Sequence, residues 1–174
     1  MIISPGQIGF RMSAELQSIV RGTIGLDVAL VAAVFTSLTR PLAAAGSKAS
    51  IGKPALVTLA LQALHFTEEF LTRFPHRFPE LLGLMQWSDG FFLAFNAAWI
   101  AAWALAIAFV SDAPRIAGAA LWFLAFAAVA NGIAHPIASF AVGGYFPGLI
   151  TAVPLGISGL WLVRQLSRAS RGAD

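Results

Sequence analysis

The sequence predicts an all-α, polytopic membrane helical bundle of about five transmembrane helices. Three observations carry this reading. Hydrophobic residues make up 58% of the chain and charged residues only 11%, against about 25% charged in an ordinary soluble domain. Mean hydropathy is +0.79. The apolar residues fall into runs of about 20, the length that crosses a bilayer core about 30 Å thick.

Taken in order, residues 1–22 (MIISPGQIGFRMSAELQSIVRG) read as an N-terminal lead-in. They lack the basic stretch, compact apolar run and small-residue cleavage site of a signal peptide. Met12 is a second candidate start, and Ser13 to Val20 reads as a short interfacial segment. A single transmembrane helical domain is expected over 23–168, followed by a basic tail at 169–174. The first span is expected from about Ile24 to Ala44, followed by the small-residue linker Ala45–Ser50. The second begins at Pro54, where a proline in the first turn gives up no hydrogen bond, and runs to about Arg73. Phe74–Pro79 (FPHRFP) reads as a proline-bounded connector at the interface, with His76 solvated. The third span covers about Ser88 to Val110 and the fourth about Arg115 to Phe140. Gly143-Gly144 breaks the chain, and the fifth span runs from about Pro147 to Leu166.

Charge sets the orientation. One side of the membrane receives Arg40, Lys48, Lys53, Arg115, Arg164, Arg168 and Arg171; the other receives Arg11, Arg21, Arg73 and Arg77. The larger set belongs on the cytoplasmic side, which predicts a cytoplasmic C-terminus in an integral membrane protein. The net charge of +3 is spread over loop ends. No basic cluster is interleaved with aromatics, so nucleic acid is not an expected partner. Cysteine is absent, which excludes a disulfide framework, a thiolate metal site and a cysteine nucleophile.

The chemistry concentrates in Leu64-His65-Phe66-Thr67-Glu68-Glu69-Phe70. Positions i, i+3 and i+4 of a helix share a face, so His65, Glu68 and Glu69 can address a common spot. Carboxylates in hydrocarbon cost roughly 2.5–3.5 kcal/mol each on the lenient insertion scale, so they need partners. Helix parity supplies them. At 1.5 Å per residue, Glu69 lies about 22 Å into the second span and Asn131 about 24 Å into the fourth, with His135 one turn beyond. Asn96 lies about 12 Å into the third from the same side. Tyr145 sits at the entry of the fifth span, and Asp27 in the first turn of the first. The intramembrane polar residues therefore gather in one leaflet, which predicts a shared site.

His65-x-x-Glu68-Glu69, then Phe74-Pro75, Asn131-x-x-x-His135 and Tyr145-x-Pro147-Gly148-x-x-Thr151 together resemble the HXXEE-motif family of small bacterial membrane proteins. The resemblance runs from the second span to the fifth and leaves the first fifty residues outside it. It implies a multi-span fold and a site at His65, Glu68, Glu69, Asn131 and His135; the family carries no assigned activity, so it implies no substrate.

Read from the residues, two imidazoles and two carboxylates on neighbouring helices form a metal-ligand set. His65, Glu68, Glu69 and His135 are the candidate ligands for a divalent metal, zinc or iron. Such a site fits a hydrolase or oxygenase acting on a lipid or other hydrophobic small molecule. Without metal, a protonated carboxylic acid beside a histidine can act as an acid–base pair, as an isomerase would need. The same four residues are the candidate catalytic groups in either case, with Asn131, Tyr145 and Asn96 contacting substrate. Two other readings compete: proton-coupled transport, since buried Glu and His form proton relays, and a purely structural cluster that fastens helices. The expected partners are membrane lipids and a hydrophobic small molecule, with an oligomer allowed. The stripe Phe91, Phe92, Phe95, Trp99 and Trp103 reads as packing or lipid-facing, and Gln62 as packing or substrate contact.

Overall fold

The computed structural model describes residues 5–42 and 47–171, which form helices joined by turns and short loops, with no strand among them. Seven helices follow in order: α1 Pro5–Gly22, α2 Ile24–Thr39, α3 Ser47–Leu71, α4 Phe74–Leu81, α5 Asp89–Ala108, α6 Pro114–Ala141 and α7 Leu149–Arg171. Three of them, α5, α6 and α7, are long and apolar enough to cross a membrane. A fourth span exists if α1 and α2, bent by 52° at their junction, count as one. The expected number of about five is therefore not reached by length and composition. α3, over which the second span is expected, is 25 residues long but does not count among the candidate spans, because Lys53, His65, Glu68 and Glu69 interrupt its apolar run.

Several boundaries differ from expectation. α3 starts at Ser47, inside the predicted linker, so Pro54 lies within the helix rather than at its head; residues 43–46 lie outside the described part. The lead-in is a full helix from Pro5 rather than a short interfacial segment. The connector Phe74–Pro79 is also helical: Pro75 stands in the first turn of α4, where a missing N–H is harmless. Arg73 turns the chain there in the left-handed conformation, φ 67°. His76 is correspondingly not a free solvated side chain. It stands between Gln86 Oε1 at 3.1 Å and Asp89 Oδ1 at 2.9 Å, tying α4 to the start of α5. The basic tail continues α7 to Arg171, and residues 172–174 lie outside the described part.

α6 is the axis of the bundle, packed against α7, α2, α5 and α3, while α3 also packs on α7 and α5. The α6–α7 contact is close because glycines meet there. A Cβ on Gly132 would lie 2.7 Å from Gly156 Cα, and one on Gly159 would lie 2.8 Å from Ala128 Cβ, the small-residue packing that lets membrane helices approach. Leu121, Leu124, Leu155, Leu162 and Leu166 are fully enclosed, whereas Val31, Leu38, Phe140 and Ile150 point outward and are strongly exposed. A helical protein with apolar side chains on its outside suits a hydrocarbon surround. Polar residues turn the other way: Gln62, His65, Glu69, Asn96 and His135 are all buried.

Candidate metal centre and its cavity

α3 and α6 bring the cluster together. His65 and Glu69 are one turn apart on α3, and His135 arrives from α6. Glu69 Oε1 lies 3.5 Å from His65 Nε2 and 3.3 Å from His135 Nε2. The two imidazoles meet edge to face, ring centroids 4.6 Å apart. One ligand atom from each of the three residues lies within 4.8 Å of the others, and all three residues are buried. This group can hold a metal ion.

The outer hydrogen bonds fix which nitrogen of each ring faces inward. His135 Nδ1 is 2.6 Å from the Pro147 carbonyl, which can only accept, so Nδ1 carries the proton and Nε2 presents a lone pair. The Thr151 hydroxyl donates to Glu68 Oε2 at 2.5 Å. Its single hydrogen is then committed, so it accepts from His65 Nδ1–H at 2.9 Å. His65 Nε2 is therefore also a bare lone pair, and it has no hydrogen-bond partner. Ligating histidines ordinarily anchor their other nitrogen on a carbonyl or carboxylate in this way. The result is that Nε2 of both imidazoles faces the Glu69 carboxylate.

Glu68 belongs to a different contact. Its carboxylate leaves the cluster and caps α7, accepting from Ile150 N at 3.1 Å, Thr151 N at 2.8 Å, the Thr151 hydroxyl and Tyr145 Oη at 2.6 Å. A carboxylate at a helix N-terminus is electrostatically well placed, and α7 has no acidic residue of its own in its first turn. Of the four predicted ligands the structure thus converges three, and Glu68 acts on the site through Thr151 and His65. Tyr145 touches Glu68 rather than the cavity. Partial desolvation, with the hydrogen bond to Glu68 adding to it, raises the phenol above its ordinary 10.0. Tyr145 is the sole tyrosine, so ultraviolet titration of phenolate absorbance reads it directly. We expect a midpoint above the ordinary value, displaced downward in Glu68→Gln; a midpoint unmoved by that substitution would show that the contact is not made in solution.

The loop between α6 and α7 is built against the two rings. Gly148, at φ +86°, lies so close that a Cβ there would sit 2.7 Å from His135 Cε1 and 2.8 Å from His65 Cε1. Phe146 N–H donates to Ser139 Oγ at 3.1 Å and pins the loop to α6. Phe74 and Phe146 pack on His135, centroids 5.6 and 6.0 Å away.

Glu69 and His135 also face a cavity of about 190 Å³, walled by Phe and Trp side chains of α3, α4, α5 and α6 and by the α1–α2 junction. For scale, an apolar cavity of about 150 Å³ is known to take up benzene. The α5 stripe points into this space: Phe91, Phe92, Phe95, Trp99 and Trp103 all line it, so it is a cavity wall rather than a lipid-facing surface. Asn131 and Asn96 line it as well, together with Gln62. Asp27, exposed in the first turn of α2, takes no part. Gly148 and Thr151 belong to the motif string, but their places against the rings and Glu68 were not foreseen; the Gly-x-x-Thr spacing at a helix start was the available signal.

No family model matches the chain, and no curated protein or solved structure matches it either.

Proposed function

We propose that this protein is a membrane enzyme in which His65, Glu69 and His135 hold a divalent metal, zinc or iron, that acts on a lipid or other hydrophobic substrate lodged in the aromatic cavity. The observation that carries the proposal is the meeting of three buried potential ligand atoms from His65, Glu69 and His135 within 4.8 Å of one another. A cation would balance an ionised Glu69 there, and the spacing favours a metal over a shared proton. A charge-assisted N–H···O bond would draw nitrogen and oxygen to about 2.7–2.9 Å. Ligands bound at about 2.0–2.1 Å in a tetrahedron stand about 3.3 Å apart, close to the 3.3 and 3.5 Å found here. Two histidines and one carboxylate leave coordination positions open, as catalytic sites require. The open side faces the cavity, where Asn131 orients the substrate. A metal in that position would activate water or polarise a carbonyl, or bind oxygen if it is iron, which gives a hydrolase or an oxygenase. Glu68 is a positioning residue in this scheme.

The same reading makes α3 the fifth membrane-crossing helix, its polar groups turned inward among α5, α6 and α7. It places the C-terminal arginines Arg164, Arg168 and Arg171 in the cytoplasm of a bacterial cell and puts the chain in the HXXEE-motif family.

The test is elemental analysis of protein purified without chelator or an affinity metal. Stoichiometric zinc or iron in the wild type, lost in His135→Ala, is the expected result. A wild type that takes up neither metal, even after it is added back, would remove the metal and leave a Glu69–histidine acid–base pair as the working group.

A further inference from the structure

The cavity has a second polar layer beyond the metal-binding group. Gln62 and Asn96 are 1% and 8% exposed, and Trp103 is 2% exposed. Each lines the cavity, and Gln62 Oε1, Asn96 Nδ2 and Trp103 Nε1 have no hydrogen-bond partner. Buried polar atoms normally find partners, and leaving them unpaired in an aromatic surround is costly. Carboxamides offer a donor and an acceptor whichever way they are turned. The layer therefore presents both kinds of group, and it contains no ionic side chain. Gln62 precedes Glu69 by seven residues, two turns or about 10 Å along α3 on the same face.

We infer that this layer is a substrate subsite for a neutral group that donates and accepts hydrogen bonds at once, such as the hydroxyl of an otherwise apolar molecule, held beside the metal-binding group, one turn from His65 and two turns from Glu69 along α3. The inference rests on the reading above that the cavity takes a hydrophobic substrate, but not on the metal. A charged headgroup is the wrong ligand: nothing in the layer neutralises it, and the aromatic walls cannot solvate it. A plain hydrocarbon would fill the space and leave all three polar atoms unpaired.

Brominated ligands test this, because bromine quenches tryptophan fluorescence and Trp87, Trp99 and Trp103 line the cavity. Terminally brominated decanol, bromodecane and brominated decanoate are titrated into chelator-treated protein in detergent, at matched mole fractions in the micelle. The alcohol is expected to quench saturably at a mole fraction about tenfold lower than the alkane, the scale of a satisfied against an orphaned buried hydrogen bond. The decanoate should be weaker than the alcohol. Gln62→Leu and Asn96→Leu, singly and together, should erase the preference for alcohol while bromodecane still quenches, which also shows that the cavity survives. Equal quenching by alcohol and alkane in the wild type, stronger quenching by decanoate, or an unchanged preference in the variants would each overturn the inference. Metal content is measured separately on the same samples: a protein without metal that still prefers the alcohol loses only the metalloenzyme reading, and a metalloprotein without the preference loses only the subsite.

Discussion

Glu69→Gln and Glu68→Gln are expected to fail in different ways, although the two glutamates are adjacent. Glu69 supplies the only carboxylate in the buried group with His65 and His135. Glutamine there removes the charge that two neutral imidazoles cannot replace, and it sets an amide N–H or a neutral carbonyl where an anionic ligand stood. Loss of essentially all bound metal is the expected outcome, with little change in fold, because removing the carboxylate relieves an anion buried at 4% exposure. Glu68→Gln leaves the three ligands in place. It replaces an oxygen by an NH₂ group facing the Thr151 N–H and hydroxyl, so donors meet donors at the head of α7. Charge-assisted hydrogen bonds contribute about 1.5–3 kcal/mol apiece, so a clear fall in thermal stability is expected. The metal should be retained but more weakly held, by the roughly 10–100-fold typical of losing an outer hydrogen-bond partner. Metal stoichiometry and thermal unfolding in detergent, measured on both variants, separate the outcomes. Equal metal loss in the two would mean that Glu68 is a ligand after all.

Gly148→Ala is the other substitution with a large expected effect. The added methyl would overlap both imidazoles, 2.7–2.8 Å from ring atoms of His135 and His65, and the residue would still have to hold φ +86°. The left-handed conformation alone costs a non-glycine residue about 1–2 kcal/mol. Overpacking against two rings held by their own hydrogen bonds adds about 1–3 kcal/mol. We expect a marked drop in melting temperature together with loss of metal, since the rings can escape the methyl only by leaving their inward orientation. Gly143→Ala is the matched control: φ is also positive, at +68°, but no atom lies within 4 Å of its Cβ position. It should show the conformational cost and keep its metal. Wild-type metal binding in Gly148→Ala would mean that the loop does not sit on the rings as described.

The convergence of His65, Glu69 and His135 was legible because helical spacing and span parity are one-dimensional facts. A polar residue near the end of one span must share a layer with one near the same end of another. The division of labour between Glu68 and Glu69 was not legible, for a geometric reason. Measured from His65, Glu69 at i+4 is turned by about 40° one way around the helix and Glu68 at i+3 by about 60° the other way. The two flank the histidine, and which flank meets α6 and which meets α7 depends on packing that no local pattern encodes. Asn96 shows the same limit: its depth in the third span put it in the polar layer, but only the structure leaves its amide Nδ2 unpaired beside a cavity. The helices α1 and α4 were hidden by composition, α4 because Pro75 and Pro79 in eight residues look like a breaker rather than a short helix with proline at its head. α3 stands outside the count of candidate spans because its ionisable residues lower its hydropathy.

The dependence of the cluster on α7 bears on how the protein is made. His65 is oriented by Thr151, Glu68 is held by the first turn of α7, and His135 is fixed by Pro147 just before it. Every one of those partners lies after α6 in the chain, at the entry and first turn of α7. While α2 to α6 are being inserted, the two imidazoles can turn and the three ligands need not converge. On the proposed metal-binding reading, capture of the ion waits until α7 docks, so that a chain stalled or cut short before α7 lacks the contacts that orient the three residues.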